Sequence, residues 1–265
     1  MPSSSRLGIA LLGLMVLVPA RMALAFDPER DTWLLPLLQT QSPPGEFRVS
    51  DPLEYVRMRA AGNQVEPVYA NPAQRALIVA VASGNRAEVE ALLRQGVNPN
   101  GRPDMWGRSA LVLAVDKGDM ELARLLLEAG ADPDMKAGGY TPLVLAALHG
   151  HARIAWMLLK HGADPDLKSS DGNTPLTAAA SMNHPRVIGE LMSYRPDYTL
   201  YNLEGRTALS VAALEGFTDA VRAMLEAGVD ANVRDKSGGT ALTAAGFDDH
   251  TEVLDLLVQY GASTQ

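Results

Sequence analysis

Hydrophobic residues in the C-terminal two thirds of the chain recur in fours. Ile154, Ala155, Leu158 and Leu159 form one set; Val187, Ile188, Leu191 and Met192 the next; then Ala220, Val221, Met224 and Leu225; then Val253, Leu254, Leu257 and Val258. Spacing of i, i+1, i+4, i+5 puts each set on one face of a helix. A shorter apolar run precedes each of the first three sets and carries a small pair, Ala146-Ala147, Ala179-Ala180 or Ala212-Ala213. Such pairs let neighbouring helices approach closely.

The stretch from Tyr140 to Gly172 contains one whole unit. Thr141 is suited to cap a helix N-terminus through its hydroxyl, and Pro142 to the first helical position, where a missing N–H costs nothing. Gly150 ends that helix after about two turns. A second helix then runs to Gly162, a residue type that accepts the left-handed conformation ending many helices. Neither helix buries its apolar face alone, so the unit requires neighbours.

The neighbours are written in the same phase. Thr141, Thr174, Thr207 and Thr240 stand 33 residues apart; Ser109 lies 32 before Thr141, and Arg75 lies 34 before Ser109. Self-similarity at this period predicts a stacked-repeat solenoid, all-α, with about six helix–turn–helix units rather than a closed globule.

The run from Thr141 to Asp164, T-P-L-x-x-A-A-x-x-G-H-x-x-I-A-x-x-L-L-x-x-G-A-D, resembles the ankyrin repeat family, over about residues 73–265. That family usually has His as the fourth residue of a T-P-L-H tetrad. Here the slot holds Val112, Val144, Thr177, Ser210 and Thr243. Thr and Ser replace part of that hydrogen bonding and Val does not, so looser hairpin anchoring is expected. Repeats are expected at about 73–102, 103–135, 136–168, 169–201, 202–234 and 235–265. Glu88 stands where later repeats have Leu122 and Ile154, which suits a terminal repeat with a wetter face. Repeat four is irregular: Arg195 takes the place of the stop glycine and Asn183 that of the inter-helix glycine. Pro196 suggests that the loop there follows another route, and lower local stability is expected.

Residues 1–25 read as a secretory signal peptide. Arg6 supplies a positive start, Leu7 to Val18 is an apolar run too short to span a bilayer comfortably, and Ala23-Leu24-Ala25 is a small-x-small cleavage site. The mature chain would begin at Phe26, in a periplasm or secreted, without membrane insertion. The chain lacks cysteine and any N-x-Ser/Thr sequon, which leans toward a bacterial periplasm and leaves stability to packing alone. Residues 26–72 carry seven prolines, at 28, 36, 43, 44, 52, 67 and 72, and no His or Cys. They read as an irregular N-terminal cap or arm.

The chain has 265 residues and a net charge of −8. The leader holds two arginines and no acid, so the remainder carries −10. That balance argues against nucleic acid or anionic lipid as the main partner. No nucleophile–base set is visible: there is no H-E-x-x-H, no G-x-S-x-G and no phosphate-cradling G-x-x-x-x-G-K. His151, His184 and His250 share one repeat position and read as structural. Asp132-Pro133-Asp134 and Asp164-Pro165-Asp166 resemble calcium ligands singly, but Asn98-Pro99-Asn100 fills the same slot without charge, which points to loop geometry. No catalytic residue, metal or cofactor is expected.

What remains is surface. The resemblance implies a monomeric, non-catalytic module that holds a partner protein in a concave groove lined by hairpin tips and inner-helix ends. Carried over residue by residue, this surface comprises Met105, Trp106, Arg108, Tyr140, Leu148, His149, Met182, Tyr201, Leu203, Arg206, Leu214, Glu215 and Phe247. Leu148, Leu214 and Phe247 share a slot and Met182 lies one residue off it, an apolar track across four repeats. Trp156, on an outer helix, is expected to be exposed and to pack on Lys160. Three biological roles fit the resemblance: accessory factor to a periplasmic enzyme such as a catalase, in oxidative-stress defence; immunity or inhibitor protein against a toxin; and secreted effector binding a host protein.

Overall fold

The computed structural model describes residues 72–101 and 108–263, so the proposed leader and residues 26–71 lie outside the described residues. Twelve helices are found among the described residues, in six antiparallel pairs: α1 (Pro72–Ser83) with α2 (Arg86–Arg94), α3 (Ala110–Asp116) with α4 (Met120–Glu128), α5 (Pro142–Leu148) with α6 (Ala152–Lys160), α7 (Pro175–Ser181) with α8 (Pro185–Met192), α9 (Ala208–Leu214) with α10 (Thr218–Glu226), and α11 (Ala241–Ala245) with α12 (Thr251–Gln259). Odd-numbered inner helices pack on one another in chain order, and even-numbered outer helices do the same. Between described pairs the chain forms short hairpin loops with isolated bridges only, Ala137 to Tyr140 and Arg234 to Thr240.

Five of the six inner helices, α3, α5, α7, α9 and α11, start as their sequence dictates. The hydroxyls of Ser109, Thr141, Thr174, Thr207 and Thr240 accept hydrogen bonds from the backbone N–H three residues on, at 3.3, 3.1, 3.1, 3.3 and 3.5 Å. All five capping residues are buried, and each satisfies an N–H that the helix itself leaves without a partner. The slot where the family favours His divides as its chemistry requires. Thr177 and Ser210 hydroxyls lie 3.0 Å from the capping hydroxyls of Thr174 and Thr207, and the Thr243 hydroxyl accepts from the Thr240 N–H at 2.9 Å. Val112 and Val144 fill the slot with buried methyls.

The core is a single stripe between the helix layers. Leu122, Leu126, Leu158, Ile188, Leu191, Met224 and Leu257 are its fully buried large residues on the outer helices, facing Leu77, Leu111, Leu143, Leu176 and Leu209 on the inner ones. Burying one such side chain is worth about 1.5–3 kcal/mol. Glu88 is exposed and hydrogen-bonded to Asn85, as suits the first repeat.

Repeat four departs from expectation at one point. Arg195 does not reroute the loop: it occupies the left-handed region itself, at φ +54°, and its N–H bonds the Met192 carbonyl at 3.1 Å as the stop glycines do. The buried Pro196 follows that turn instead of replacing it. Asn183 holds φ +53° at the inter-helix position.

Candidate interaction surface

The repeats are joined by side chains that cross their boundaries. The rings of His151, His184 and His250 cover the inter-helix glycine of the preceding repeat, so that a Cβ at Gly118, Gly150 or Gly216 would stand 2.6–2.8 Å from the ring. His184 and His250 also place Nε2 at 3.1 and 2.9 Å from the carbonyls of Leu148 and Leu214. Where the glycine is absent the histidine is absent too: Asn183 is followed in the next repeat by Phe217, and the Asn183 Oδ1 accepts the Ala220 N–H at 3.1 Å.

A second row runs through the turns after the outer helices. Oδ1 of Asn98, Asp132, Asp164, Asp197 and Asp230 accepts the N–H two residues on, at 2.9–3.0 Å. The residues so positioned reach the next repeat: Asn100 accepts from the Asp132 N–H at 2.7 Å, Asp134 from Asp164 at 2.9 Å, Asp166 from Asp197 at 2.9 Å and Asn232 from Ser263 at 2.9 Å. The paired acids are therefore loop and joint hardware. Burial raises the pKa of both Asp134 and Asp166 above the ordinary carboxylate value. Thr199 is the gap in the row; its hydroxyl turns back to Asp197.

These joints hold the ends of the inner helices in register and so build a surface. At its N-terminal end the Lys117 ammonium donates to the Ala82 carbonyl, and His149 Nε2 lies 3.1 Å from Asp116 Oδ1. The His149 hydrogen bond holds the Asp116 pKa below the usual carboxylate value. His151, whose ring centroid is 5.6 Å from that of His149, is pushed below the ordinary histidine value, by burial first and by His149 second.

Further along, the edge becomes apolar and unpaired. Met182 is 42% exposed, Phe247 81%, and the hairpin residue Leu203 77%. Tyr201 is exposed too, and its carbonyl accepts the Lys168 ammonium at 2.6 Å. The anticipated four-residue track is only half open: Leu148 and Leu214 are half-buried, Leu148 packing against the core, while Met182 and Phe247 are exposed. Tyr140 is likewise half-buried against the core, and burial raises its pKa. Arg206 is half-buried and paired with Glu204 at 3.0 Å, Arg108 is half-buried, and Glu215 is exposed. Met105 and Trp106 lie outside the described residues. Trp156 is exposed, with the Lys160 ammonium 4.9 Å from its ring centroid.

Sequence reasoning missed both cross-repeat rows as joints. The signals were present: Asn100, Asp134, Asp166, Thr199 and Asn232 share one slot, and each of His151, His184 and His250 stands one repeat after a Gly-containing or left-handed partner slot.

An open hollow of about 400 Å³ is lined by Gly118, Met120, Gly150, His151, Ala152, Arg153, Ile154 and Arg186, with no carboxylate or nucleophile to pair with the histidine. Among the described residues no group of three or more His, Asp or Glu is placed to hold a metal ion. None of their helices is long and apolar enough to cross a membrane.

A family model described as ankyrin repeats (3 copies) matches residues 58–137, 77–169, 134–202 and 187–265. The chain is 42% identical over 67 residues to a 2-5A-dependent ribonuclease of Mus musculus, covering 25% of this chain and 9% of that one. It is 42% identical over 74 residues to a putative ankyrin repeat-containing protein of Treponema pallidum (strain Nichols), covering 28% and 24%. It thus spans at most about a quarter of the length of either relative. With six stacked helix pairs, capped and jointed at a 33-residue period, and a family model matched across them, the chain belongs to the ankyrin repeat family.

Proposed function

We propose that the protein is an exported, non-catalytic binding module that holds a partner protein against the ends of its inner helices and the adjoining hairpins. Ankyrin repeats mark a protein–protein interaction module. The observation that carries the site is the exposure of Met182, Leu203 and Phe247 beside inner helices α7, α9 and α11, each capped by a buried threonine. A surface already ordered before contact loses little conformational freedom on binding. Exposed aromatic and methionine side chains are what such contacts use as anchors. Export rests on the basic, apolar and small-residue order of residues 1–25. Within a periplasm the role is that of accessory factor to an enzyme, a catalase being the example that the family resemblance suggests.

The test is affinity capture from periplasmic extract with the wild-type protein and with Met182→Glu plus Phe247→Glu, both exposed positions. The wild type should retain a partner that the variant loses, with helical circular dichroism unchanged. Identical recovery by both baits removes this surface from the function. Recovery of the protein from the cytoplasm alone removes export.

A further inference from the structure

The binding edge is divided into two halves of different chemistry, and the division specifies the partner. In the N-terminal half the charges are consumed internally: Asp116 by His149, Lys117 by the Ala82 carbonyl. In the C-terminal half they are not. Glu215, Asp248 and Asp249 are exposed, and none forms an ion pair or side-chain hydrogen bond among the described residues. They alternate with the exposed Met182 and Phe247 along the same row of inner-helix ends, and Leu203 is exposed on the hairpin that leads into α9. The hairpins on this side carry cations, but Arg206 is paired with Glu204 and the Arg234 guanidinium donates to the Gly238 carbonyl at 2.9 Å; Lys236 is exposed at the tip.

We infer that the occupant of this half is a short segment of a partner chain that presents alternating apolar and basic side chains. The inference rests on the proposed binding function and adds the partner's chemistry to it. Apolar groups cover Met182, Leu203 and Phe247, and Lys or Arg side chains meet Glu215, Asp248 and Asp249. Unpaired carboxylates beside an apolar surface favour a cation as the apolar contact excludes water, and they repel an acidic segment at encounter. Met182 to Phe247 spans two repeat spacings, about 20 Å at the usual helix-packing distance. About six residues of extended chain cover that length.

The experiment uses three fluorescein-labelled 12-residue peptides against the purified protein, read by anisotropy at low and at physiological salt: alternating Leu and Lys, alternating Leu and Glu, and alternating Ser and Lys. The Leu/Lys peptide should bind at least tenfold more tightly than either other. Phe247→Ser and Leu203→Ser should each weaken it about tenfold. Glu215→Gln with Asp248→Asn should remove most of the preference for Lys over Glu. Glu226→Gln with Asp255→Asn, an equal charge change on exposed outer-helix positions, should leave it in place. Circular dichroism checks the fold of every variant. Equal or tighter binding of the Leu/Glu peptide, equal effects of the two neutralised pairs, or no binding by any peptide overturns the inference. If Leu/Glu binds and Phe247→Ser abolishes it, the surface stands and only its charge preference falls.

Discussion

The ring of His184 lies over Gly150 of the preceding repeat, so close that a Cβ on the glycine would stand 2.8 Å from ring atoms. Gly150 also holds φ +71°, where a side chain is strained in any surroundings. Gly150→Ala should therefore cost about 2 kcal/mol, part backbone strain and part displaced ring. Gly162, at φ +90° with open space around it, isolates the first part, and Gly162→Ala should cost about 1 kcal/mol. Adding His184→Ala to Gly150→Ala should recover the ring contribution. Urea unfolding of these three variants and of His184→Ala alone reads this directly. Equal costs at the two glycines would show that the ring contact carries nothing.

The row of turn side chains makes a second prediction. Asp134 and Asp166 each accept a backbone N–H of the next repeat, and Thr199 does not. Thr199→Asn places an acceptor opposite the Asp230 N–H, in the geometry that Asn100 and Asn232 already use. It should stabilise the protein by about 1 kcal/mol, the net worth of a hydrogen bond. Asp134→Ala and Asp166→Ala should each destabilise by about the same amount. A shift in urea midpoint without a change in slope is the expected signature. No shift for Thr199→Asn would mean that the fourth and fifth repeats sit too far apart at this edge for the bond to form.

His151 gives a pH dependence of defined sign. Its folded pKa lies below the ordinary 6.5, through burial first and the neighbouring His149 second. The unfolded chain then binds the proton at a higher pH than the folded one. Stability from this group is full above 6.5 and is lost as pH falls from there through the folded value. Asp134 and Asp166 act with the opposite sign: their raised pKa values favour the fold in acid, and that contribution is lost as pH rises through the folded value. Between pH 7.5 and 5.5 the histidine governs. The wild-type urea midpoint should fall more over this range than that of His151→Asn, and parallel slopes would sink the assignment.

Much of the fold is legible in the sequence because each repeat states it again. The caps at Thr141, Thr174, Thr207 and Thr240, the two-turn inner helices and the apolar outer faces follow from local chemistry at a fixed period. The binding edge is less legible. Leu148, Leu214 and Phe247 occupy one slot, and the pattern alone treats them alike. Burial separates them: Leu148 and Leu214 are half-buried and Phe247 stands open in the last pair. The same holds for Arg195, where Pro196 next to it pointed to a different loop path. The cost of a left-handed arginine, about 1 kcal/mol, is smaller than that of abandoning the hydrogen bond from its N–H to the Met192 carbonyl and the packing of Pro196. Local preference yields to the repeat when the repeat's geometry is worth more.

Repeat four collects the local costs of the stack, and this should show in its dynamics. Arg195 and Asn183 both hold positive φ where the neighbouring repeats use glycine. The boundary between repeats four and five lacks the turn bond at Thr199. It also has Phe217 where His184 and His250 bond a carbonyl across their own boundaries. Among the described residues the side-chain hydrogen bond that spans it runs from the Ala220 N–H to Asn183 Oδ1. Amides of α8 should therefore exchange faster than those of α6 and α10, by local opening rather than global unfolding. Arg195→Gly removes one strain without touching a side-chain contact, since the arginine is exposed. It should raise global stability by up to about 1 kcal/mol, reduced by the greater freedom of glycine in the unfolded chain. It should also slow exchange in α8 more than in α6. Uniform protection across the three outer helices, unchanged by Arg195→Gly, would mean that the stack shares the strain along its length instead of holding it in one repeat.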